Sequence, residues 1–422
     1  MIHMRQWAAG HPGFAAVLAL VAVTSALPGT VDAGPWHRAS ELKLPVNASP
    51  DRADPHLLAI SCGGARSCVA GGSYVDRSNK GLPMVVVRSG GRWERAQGIQ
   101  LPANSRAFDP ASQMFALSCP SAASCTGVGN YLYNGQDNKQ GFVAVSVHGR
   151  WTPARTVRAP VNSIEPVEDT LEAVSCPRPE WCVAGGNYAD KAVNHLPMIV
   201  TESHGHWARA RSISSPANAA PEPFALIQAL SCPQVGYCVA VGNYEDRAGD
   251  ILPMVATETR GRWQRAFDIR LPAGAVSQPY AVLDGVSCPR AGSCVAVGEY
   301  SGPGIVYGMA VTEHDGRWRR AVQIARPARI KNSGGTELTA VSCTGPGSCT
   351  AAGLDLERNS DTRAITVSER AGRWHPAIWI QLPATGSGPQ YSELNAVSCL
   401  TAAGCVAVGD YGSGKMMGVA GG

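Results

Sequence analysis

Residues 231–242, SCPQVGYCVAVG, contain the pattern that decides the fold of this 422-residue chain. They open with a Ser-Cys-x5-Cys unit whose cysteines are Cys232 and Cys238. The unit occurs seven times, and successive first cysteines are 57, 57, 56, 56, 55 and 56 residues apart. The seven pairs account for all 14 cysteines: Cys62 with Cys68, Cys119 with Cys125, Cys176 with Cys182, Cys232 with Cys238, Cys288 with Cys294, Cys343 with Cys349, and Cys399 with Cys405.

A tryptophan, usually within Gly-Arg-Trp, keeps the same period. Its copies are Trp93, Trp151, Trp207, Trp263, Trp318 and Trp374. Two phased series of this kind are typical of a repeat protein in which each period is one supersecondary unit.

Each period contains four short segments with the composition of β-strands. In the fourth repeat they are residues 226–232, 238–244, 253–258 and 262–271, which we name strands a, b, c and d. Tight turns join a to b and c to d, as in hairpins. Four antiparallel strands repeated seven times predict an all-β fold, a seven-bladed β-propeller.

The two ends of the chain complement each other. The seventh repeat ends after a short strand c, while Trp36, Ala39 and Leu42 near the amino terminus have the spacing of a strand d. We therefore expect an N-terminal outer strand to complete the last blade and close the ring, which leaves no unpaired edge at the junction.

The first 33 residues have the pattern of an export signal. Arg5 precedes an apolar run, residues 14–27, and small residues at Val31 and Ala33 suit cleavage after Ala33. We predict a signal peptide over residues 1–33 and one propeller domain over residues 34–422. The protein is then secreted and extracellular.

The cysteines of an exported chain, in local pairs, point to disulfides within each repeat. Cysteines that face each other across an a–b hairpin have the Cα separation that a disulfide needs. Zinc sites use closer spacings and groups of four ligands, so no metal is expected, and no motif calls for a cofactor.

Composition limits the partners. A formal charge of +4 on 422 residues, 16% of them charged, gives no strong overall field. We therefore expect neither nucleic acid nor a membrane as partner, and no apolar stretch after residue 27 is long enough to span a bilayer. The expected partner of the monomer is a polysaccharide or an extracellular protein.

The loops between b and c and between d and a vary among the repeats, which is typical of a binding surface on a constant scaffold. Three b–c loops share Tyr-x-Asp-Arg/Lys. The candidate ligand-binding residues are Tyr74, Asp76, Arg77, Tyr188, Asp190, Lys191, Tyr244, Asp246 and Arg247. The alternative is that each Asp caps its own turn and the basic residue pairs with it.

With its Ser-Cys-Pro-x4-Cys-Val-Ala-Val-Gly repeats, as in residues 231–242, the chain resembles secreted bacterial propellers of the WD40/YVTN/BNR-like class. Sialidase-type members carry a repeated Asp-box near the c–d turn, whereas this chain has Thr257 to Trp263, TETRGRW, without a repeated Asp. The chain contains no HExxH, GxSxG or phosphate-loop motif, so catalytic residues are unassigned. The favoured function is a non-catalytic scaffold that holds a glycan or a protein. The alternative is a glycan-active enzyme, a sialidase-like hydrolase or a lyase, with its site at the central channel.

Overall fold

The computed structural model describes residues 36–133, 138–327, 333–357, 361–384 and 391–421. Those residues form strands, turns and loops and include no helix, so nothing among them has the form of a membrane-crossing helix. The predicted signal peptide lies outside the described residues, and its assignment remains a prediction.

Each of the seven repeats contains the four predicted strands in antiparallel order. The a strands are His56–Gly64, Gln113–Ser121, Asp169–Arg178, Ala225–Gln234, Ala281–Arg290, Ser333–Gly345 and Ser392–Thr401. The b strands are Ser67–Val75, Ser124–Leu132, Trp181–Ala189, Tyr237–Glu245, Ser293–Ser301, Ser348–Glu357 and Gly404–Tyr411. The c strands are Gly81–Ser89, Lys139–Val147, His195–Ser203, Ile251–Thr259, Val306–His314, Thr362–Arg370 and Lys415–Gly421.

Strand d is split into two short segments in the first six repeats. The first segments are Arg92–Trp93, Arg150–Trp151, His206–Trp207, Arg262–Trp263, Arg317–Trp318 and Arg373–Trp374. The second segments are Gln97–Gly98, Arg155–Thr156, Arg211–Ser212, Phe267–Asp268, Val322–Gln323 and Ile378–Trp379.

The split in strand d has a clear cause. The alanine between the two segments donates its N–H to strand d of the preceding repeat, as Ala266 does to Ser214 O at 2.9 Å. Six further alanines do the same at 2.8 to 2.9 Å: Ala39, Ala96, Ala154, Ala210, Ala321 and Ala377. The single long d strand expected from residues 262–271 was therefore wrong in that detail, because this N–H serves the neighbouring repeat.

The amino-terminal strand completes the last repeat, as the sequence predicts. Ser40–Glu41 pairs antiparallel with Lys415–Gly421, with Ser40 opposite Gly418. The seventh sheet therefore has its outer strand from the opposite end of the chain.

The a strands are linked at the end where the cysteines lie. The first cysteine of each pair donates its N–H to the serine before the cysteine of the preceding repeat, at 2.8 to 3.1 Å. The set includes Cys62 bonded to Ser398, which joins the first repeat to the seventh. The serine of the Ser-Cys unit is thus an inter-repeat acceptor.

Every a strand contains a bulge near its start, and the opposing residue of strand b is glycine. In the fourth repeat the register shifts between Ile227 and Ala229, and Gly242 faces Ile227. A Cβ at Gly242 would overlap the carbonyl oxygen of Leu226. The same obstruction exists at Gly72, Gly129, Gly186, Gly298, Gly353 and Gly409. The bulge turns one side chain of each a strand toward the axis.

All seven predicted cysteine pairs are disulfides, which confirms the pairing within each repeat. The Cα–Cα distances are 3.9 to 4.1 Å, slightly shorter than the usual range for a disulfide because the two cysteines lie side by side in one hairpin. The bonds are Cys62 to Cys68, Cys119 to Cys125, Cys176 to Cys182, Cys232 to Cys238, Cys288 to Cys294, Cys343 to Cys349, and Cys399 to Cys405. The described residues contain no free cysteine.

The apolar core lies between neighbouring repeats. Trp263, for example, packs on a cluster that includes Val183 and Ile199 of the preceding repeat. Nε1 of Trp207, Trp263, Trp318 and Trp374 is buried without a partner in the protein, so these tryptophans contribute through packing between repeats.

Candidate functional site

The seven a strands together line one cavity of about 160 Å³. Each strand contributes three consecutive residues, from residues 58–60 in the first repeat to residues 395–397 in the seventh. A cavity lined by the same position of every repeat is the central channel, and we call the end where the a strands begin the channel mouth.

The side chain that each bulge places in the channel differs from repeat to repeat. The seven residues at this position are Leu58, Phe115, Glu172, Gln228, Asp284, Thr339 and Asn395. Repeats three to seven therefore supply polar groups, whereas the first two supply apolar ones. This asymmetry gives the channel one polar side.

Five carboxyl groups, Asp284, Glu299, Glu337, Glu393 and Asp410, lie on that side, and we call them the mouth cluster. Asp284 shares a hydrogen bond with Glu299, and Glu337 acts electrostatically on both. Glu337 is also close enough to Glu393 to be influenced by its charge, as is Asp410. The cluster therefore runs as one arc through repeats five, six and seven.

Asp284 and Glu299 form the tightest pair of the arc. Burial, and then the charge of Asp284, raises the pKa of Glu299 far above the usual range of a glutamate. Burial also raises the pKa of Asp284, but its hydrogen bond with Glu299 opposes that rise. Because two such carboxylates cannot both ionise in contact, the pair shares one proton at neutral pH, which forms the hydrogen bond between them. Gln228 donates a further, long hydrogen bond to Asp284 at 3.5 Å.

At the other end of the arc, the carboxyl of Asp410 has three partners. His56 Nδ1 lies 3.1 Å from its Oδ2, the Leu57 N–H donates to Oδ1 at 3.1 Å, and Asn395 Nδ2 lies 3.4 Å from Oδ2. The hydrogen bond with Asp410 raises the pKa of His56, although burial opposes it. Burial raises the pKa of Asp410. Asn395 also donates to Glu393 Oε1 at 3.2 Å, which joins the two carboxyls.

Aromatic side chains stand at the start of three a strands, at the rim of the mouth. Phe224, Tyr280 and Tyr391 are 40%, 51% and 39% exposed. Burial, and then the charges of Glu299 and Asp284, raise the pKa of Tyr280, and Tyr391 hydrogen-bonds to Glu393. Both tyrosines therefore adjoin the mouth cluster. Within the described part of the chain, His56 is the only basic side chain that shifts the pKa of any of these carboxyls. The mouth offers hydrogen-bond acceptors and flat apolar faces in an anionic setting.

The structure places the predicted tyrosines elsewhere than expected. Tyr74, Tyr188 and Tyr244 are 1%, 0% and 0% exposed, so none of these three candidate ligand-binding tyrosines presents its aromatic face to the solvent. Their hydroxyls donate to Asn47, Asn162 and Asn218 of the adjoining d–a loops at 3.0 to 3.1 Å. These tyrosines fasten the loops to the sheets.

The aspartates of the same loops cap their own turns. Asp76 Oδ1 accepts the N–H groups of Ser78 and Lys80 at 2.8 and 3.0 Å, and Asp190 and Asp246 do the same in their loops. Arg77 and Arg247 donate to carbonyl groups of the d–a loops at 3.1 Å, whereas for Lys191 the bond is from the backbone N–H. The capping by the aspartates matches the structural alternative, but Arg77 and Arg247 donate to loop carbonyls and not to the aspartates; ligand contacts by the exposed basic residues remain a prediction.

One sequence signal reveals the role of the tyrosines. A Pro-x-Asn motif follows strand d wherever the hydroxyl has an asparagine partner, as in Pro45 to Asn47. The mouth cluster has no such signal, because its five carboxyls come from three repeats and only Asp284 stands at a bulge.

No known protein family and no curated protein matches the chain. Among solved structures, an ulvan lyase, a polysaccharide lyase, has a TM-score of 0.52 at 9% identity over 90% of this chain and 94% of that one. The Trypanosoma rangeli sialidase has a TM-score of 0.43 at 12% identity over 71% of this chain and 53% of its own, so this chain spans about half of the sialidase. The fucose-specific lectin of Aleuria aurantia has a TM-score of 0.41 at 12% identity, covering 79% and 98%. The lyase likeness identifies the fold as a β-propeller.

Proposed function

We propose that the chain is a secreted, seven-bladed propeller whose channel mouth binds a glycan without chemical change. Two kinds of hydrogen bond join neighbouring repeats, one from the first cysteine of each pair and one from the alanine of each strand d, and each kind occurs seven times. The junction between the first and seventh repeats has the same bonds as the other six, which supports a closed ring. Seven disulfides suit an oxidising, extracellular compartment.

The observation that carries the binding proposal is the combination of exposed aromatic rings with hydrogen-bonding groups at the channel mouth. Tyr280 and Tyr391 present ring faces that stack on the C–H face of a sugar. The carboxylates of the mouth cluster accept hydrogen bonds from sugar hydroxyls, and such charge-assisted bonds are stronger than neutral ones.

The charge of the site selects the class of glycan. Uronic or sialic acid residues would bring a further negative charge to Glu337, Glu393 and Asp410, and the resulting repulsion would weaken their binding. A neutral glycan or one with a free amino group suits the site. The ulvan lyase with the same fold acts on a polysaccharide, and the proposal extends that broad ligand class to this chain.

A glycan array with neutral, amino-bearing and acidic sugars, probed with residues 34–422, tests this proposal. We expect binding to the first two classes, and the double variant Tyr280→Ala with Tyr391→Ala should lose about tenfold or more in affinity for each ring removed. Phe267→Ala is the matched control, because Phe267 is 41% exposed on an outer strand. Binding confined to acidic sugars, or equal binding by both variants, would contradict the proposal.

A second candidate function is hydrolysis or elimination on the same glycan, and the Asp284–Glu299 pair favours it. The pair holds one proton at neutral pH, as a general acid must, and Tyr280 lies close enough to Glu299 to be influenced by its charge. If the parent protein releases products from a bound glycan, and the Glu299→Gln variant still binds the glycan but releases none, that result would support catalysis. Binding without product release supports the scaffold function instead.

A further inference from the structure

The turns at the end of the repeats opposite the channel mouth carry a concentrated positive charge. We call this end the turn face. It consists of the a–b turns, residues 63–67, 120–124, 177–181, 233–237, 289–293, 344–348 and 400–404, and the c–d turns, residues 89–92, 147–150, 203–206, 259–262, 314–317 and 370–373. These segments contain ten arginines, no lysine and two acids, Glu180 and Asp315, while four glutamates that directly precede c–d turns, Glu202, Glu258, Glu313 and Glu369, are buried. The arginines are Arg66, Arg92, Arg150, Arg178, Arg260, Arg262, Arg290, Arg317, Arg370 and Arg373, and all ten are exposed.

Backbone hydrogen bonds show that both kinds of turn belong to one end of the molecule. Gly91 N–H donates to Arg66 O at 3.3 Å, so the c–d turn of the first repeat rests on its a–b turn. Gly261 and Gly236, and three further pairs, repeat this contact at 3.1 to 3.3 Å. Because neighbouring a strands are linked in register beside the cysteines, the turns of all repeats face the same way.

The opposite end carries charges of both signs. The mouth cluster lies there, together with loop acids such as Asp76, Asp190 and Asp246. Exposed bases, Arg52, Arg77, Lys191 and Arg247 among them, lie in the same loops, so the arginine excess is a property of the turn face and the net charge of +4 does not show it.

Aliphatic side chains accompany the arginines on the turn face. Val147, Val235 and Leu400 are 52%, 45% and 43% exposed in its turns. Because they belong to three different repeats, they are spread around the ring rather than gathered in one apolar patch. A surface that combines cationic and scattered aliphatic groups suits the boundary between lipid headgroups and acyl chains.

We propose that the turn face docks on an anionic lipid surface and so directs the channel mouth away from the bilayer. Arginines spread around a ring match a plane of phosphodiester groups, and guanidinium forks bind phosphate oxygens in pairs. The aliphatic side chains enter the headgroup region, where burial of apolar area adds to the electrostatic attraction. The interaction is peripheral and depends on ionic strength.

Vesicle sedimentation with residues 34–422, which belong to one compact unit, tests the proposal. One set of vesicles contains equal parts of phosphatidylglycerol and phosphatidylcholine, and the other contains phosphatidylcholine alone. We expect binding to the first set only, reversed by high salt. The combined change of four arginines, Arg150→Gln, Arg262→Gln, Arg317→Gln and Arg373→Gln, should weaken that binding about a hundredfold or more, since each contributes through the surface potential.

The matched control removes four exposed charges from the opposite end, in Arg52→Gln, Arg77→Gln, Lys191→Gln and Arg247→Gln combined. It should bind vesicles within about threefold of the parent protein, because these residues face away from the bilayer. Unchanged melting temperatures establish that both variants fold. Equal binding to neutral vesicles, equal loss in both variants, or binding to soluble heparin without binding to anionic vesicles would overturn the proposal.

Discussion

Asp169→Asn should make the protein more stable at alkaline pH. Asp169 is 1% exposed, its Oδ1 accepts the Gly141 N–H at 2.6 Å, and its Oδ2 has no partner in the protein. Burial raises the pKa of this carboxyl from 3.8 to about 7. The folded protein therefore binds this proton more tightly than the unfolded chain does.

The sign of the effect follows from that difference. Below the unfolded pKa both states are protonated, and the ionisation of Asp169 has no effect on stability. As the pH rises toward the folded pKa of about 7, the free energy of unfolding falls. Above the folded pKa the whole loss in the free energy of unfolding is reached. A gap of about three between the folded and unfolded pKa values corresponds to a loss of roughly 4 kcal/mol.

Asparagine mimics the protonated carboxyl at all pH values, so the Asp169→Asn variant does not lose stability in this way as the pH rises. A domain of this size has an unfolding entropy of roughly 0.8 kcal/mol/K, so 4 kcal/mol corresponds to about 5 °C in melting temperature. We expect Asp169→Asn to melt about 5 °C above the parent protein at about pH 8.5 and near it at about pH 4.

Calorimetry over this pH range measures both curves. Asp109→Asn is the matched control, because Asp109 accepts the Gly81 N–H in the preceding repeat but is only partly buried. A constant offset between Asp169→Asn and the parent protein over the whole range would refute the reasoning, since burial of the charge would then not be the cause.

Three other predictions concern the scaffold. Gly242→Ala should lower the free energy of unfolding by about 3 kcal/mol or more, because the new Cβ overlaps the backbone of strand a. Gly345→Ala, with open space around it, should change that free energy by less than about 1 kcal/mol. Denaturant titration compares the two variants, and equal losses would contradict the role of the bulge. Replacing both Cys288 and Cys294 with serine should cost about 2 kcal/mol, the chain entropy of a seven-residue loop, and an unchanged unfolding midpoint would show that the hairpin alone supplies that constraint. Tyr74→Phe should cost about 1 kcal/mol through the lost bond to Asn47 and leave glycan binding unchanged, and weaker binding in a stable variant would return this residue to the ligand site.

The repeat pattern was sufficient to predict the strand order within each repeat and the role of every cysteine. Cys232 and Cys238 are local partners, so the geometry that joins them depends only on a five-residue turn. Ser40–Glu41 was also predictable, because its strand carries the same Trp-x-x-Ala spacing as the other outer strands. Short-range periodicity determines such features, and it is fully present in the sequence.

The tyrosines show where such reasoning fails. The Tyr-x-Asp-Arg motif in a variable loop has the composition of a binding surface, yet Tyr244 points inward to Asn218. Strand b, Tyr237–Glu245, is buried on both faces between its neighbours, so the composition of the loop that follows does not show which way the side chain of Tyr244 points. The Pro-x-Asn motif is the only local trace of that contact.

The sequence by itself determined the repeat, the disulfides and the joining of the chain's two ends, because each depends on spacing within one repeat or on a copy of it. The tertiary structure alone decided what meets at the axis and how charge is distributed. Asp284, Glu337 and Asp410 are far apart in the chain and become neighbours only when the a strands surround one channel. A net charge is a sum over the whole chain, and only the fold shows that ten exposed arginines from six repeats share one end of the molecule.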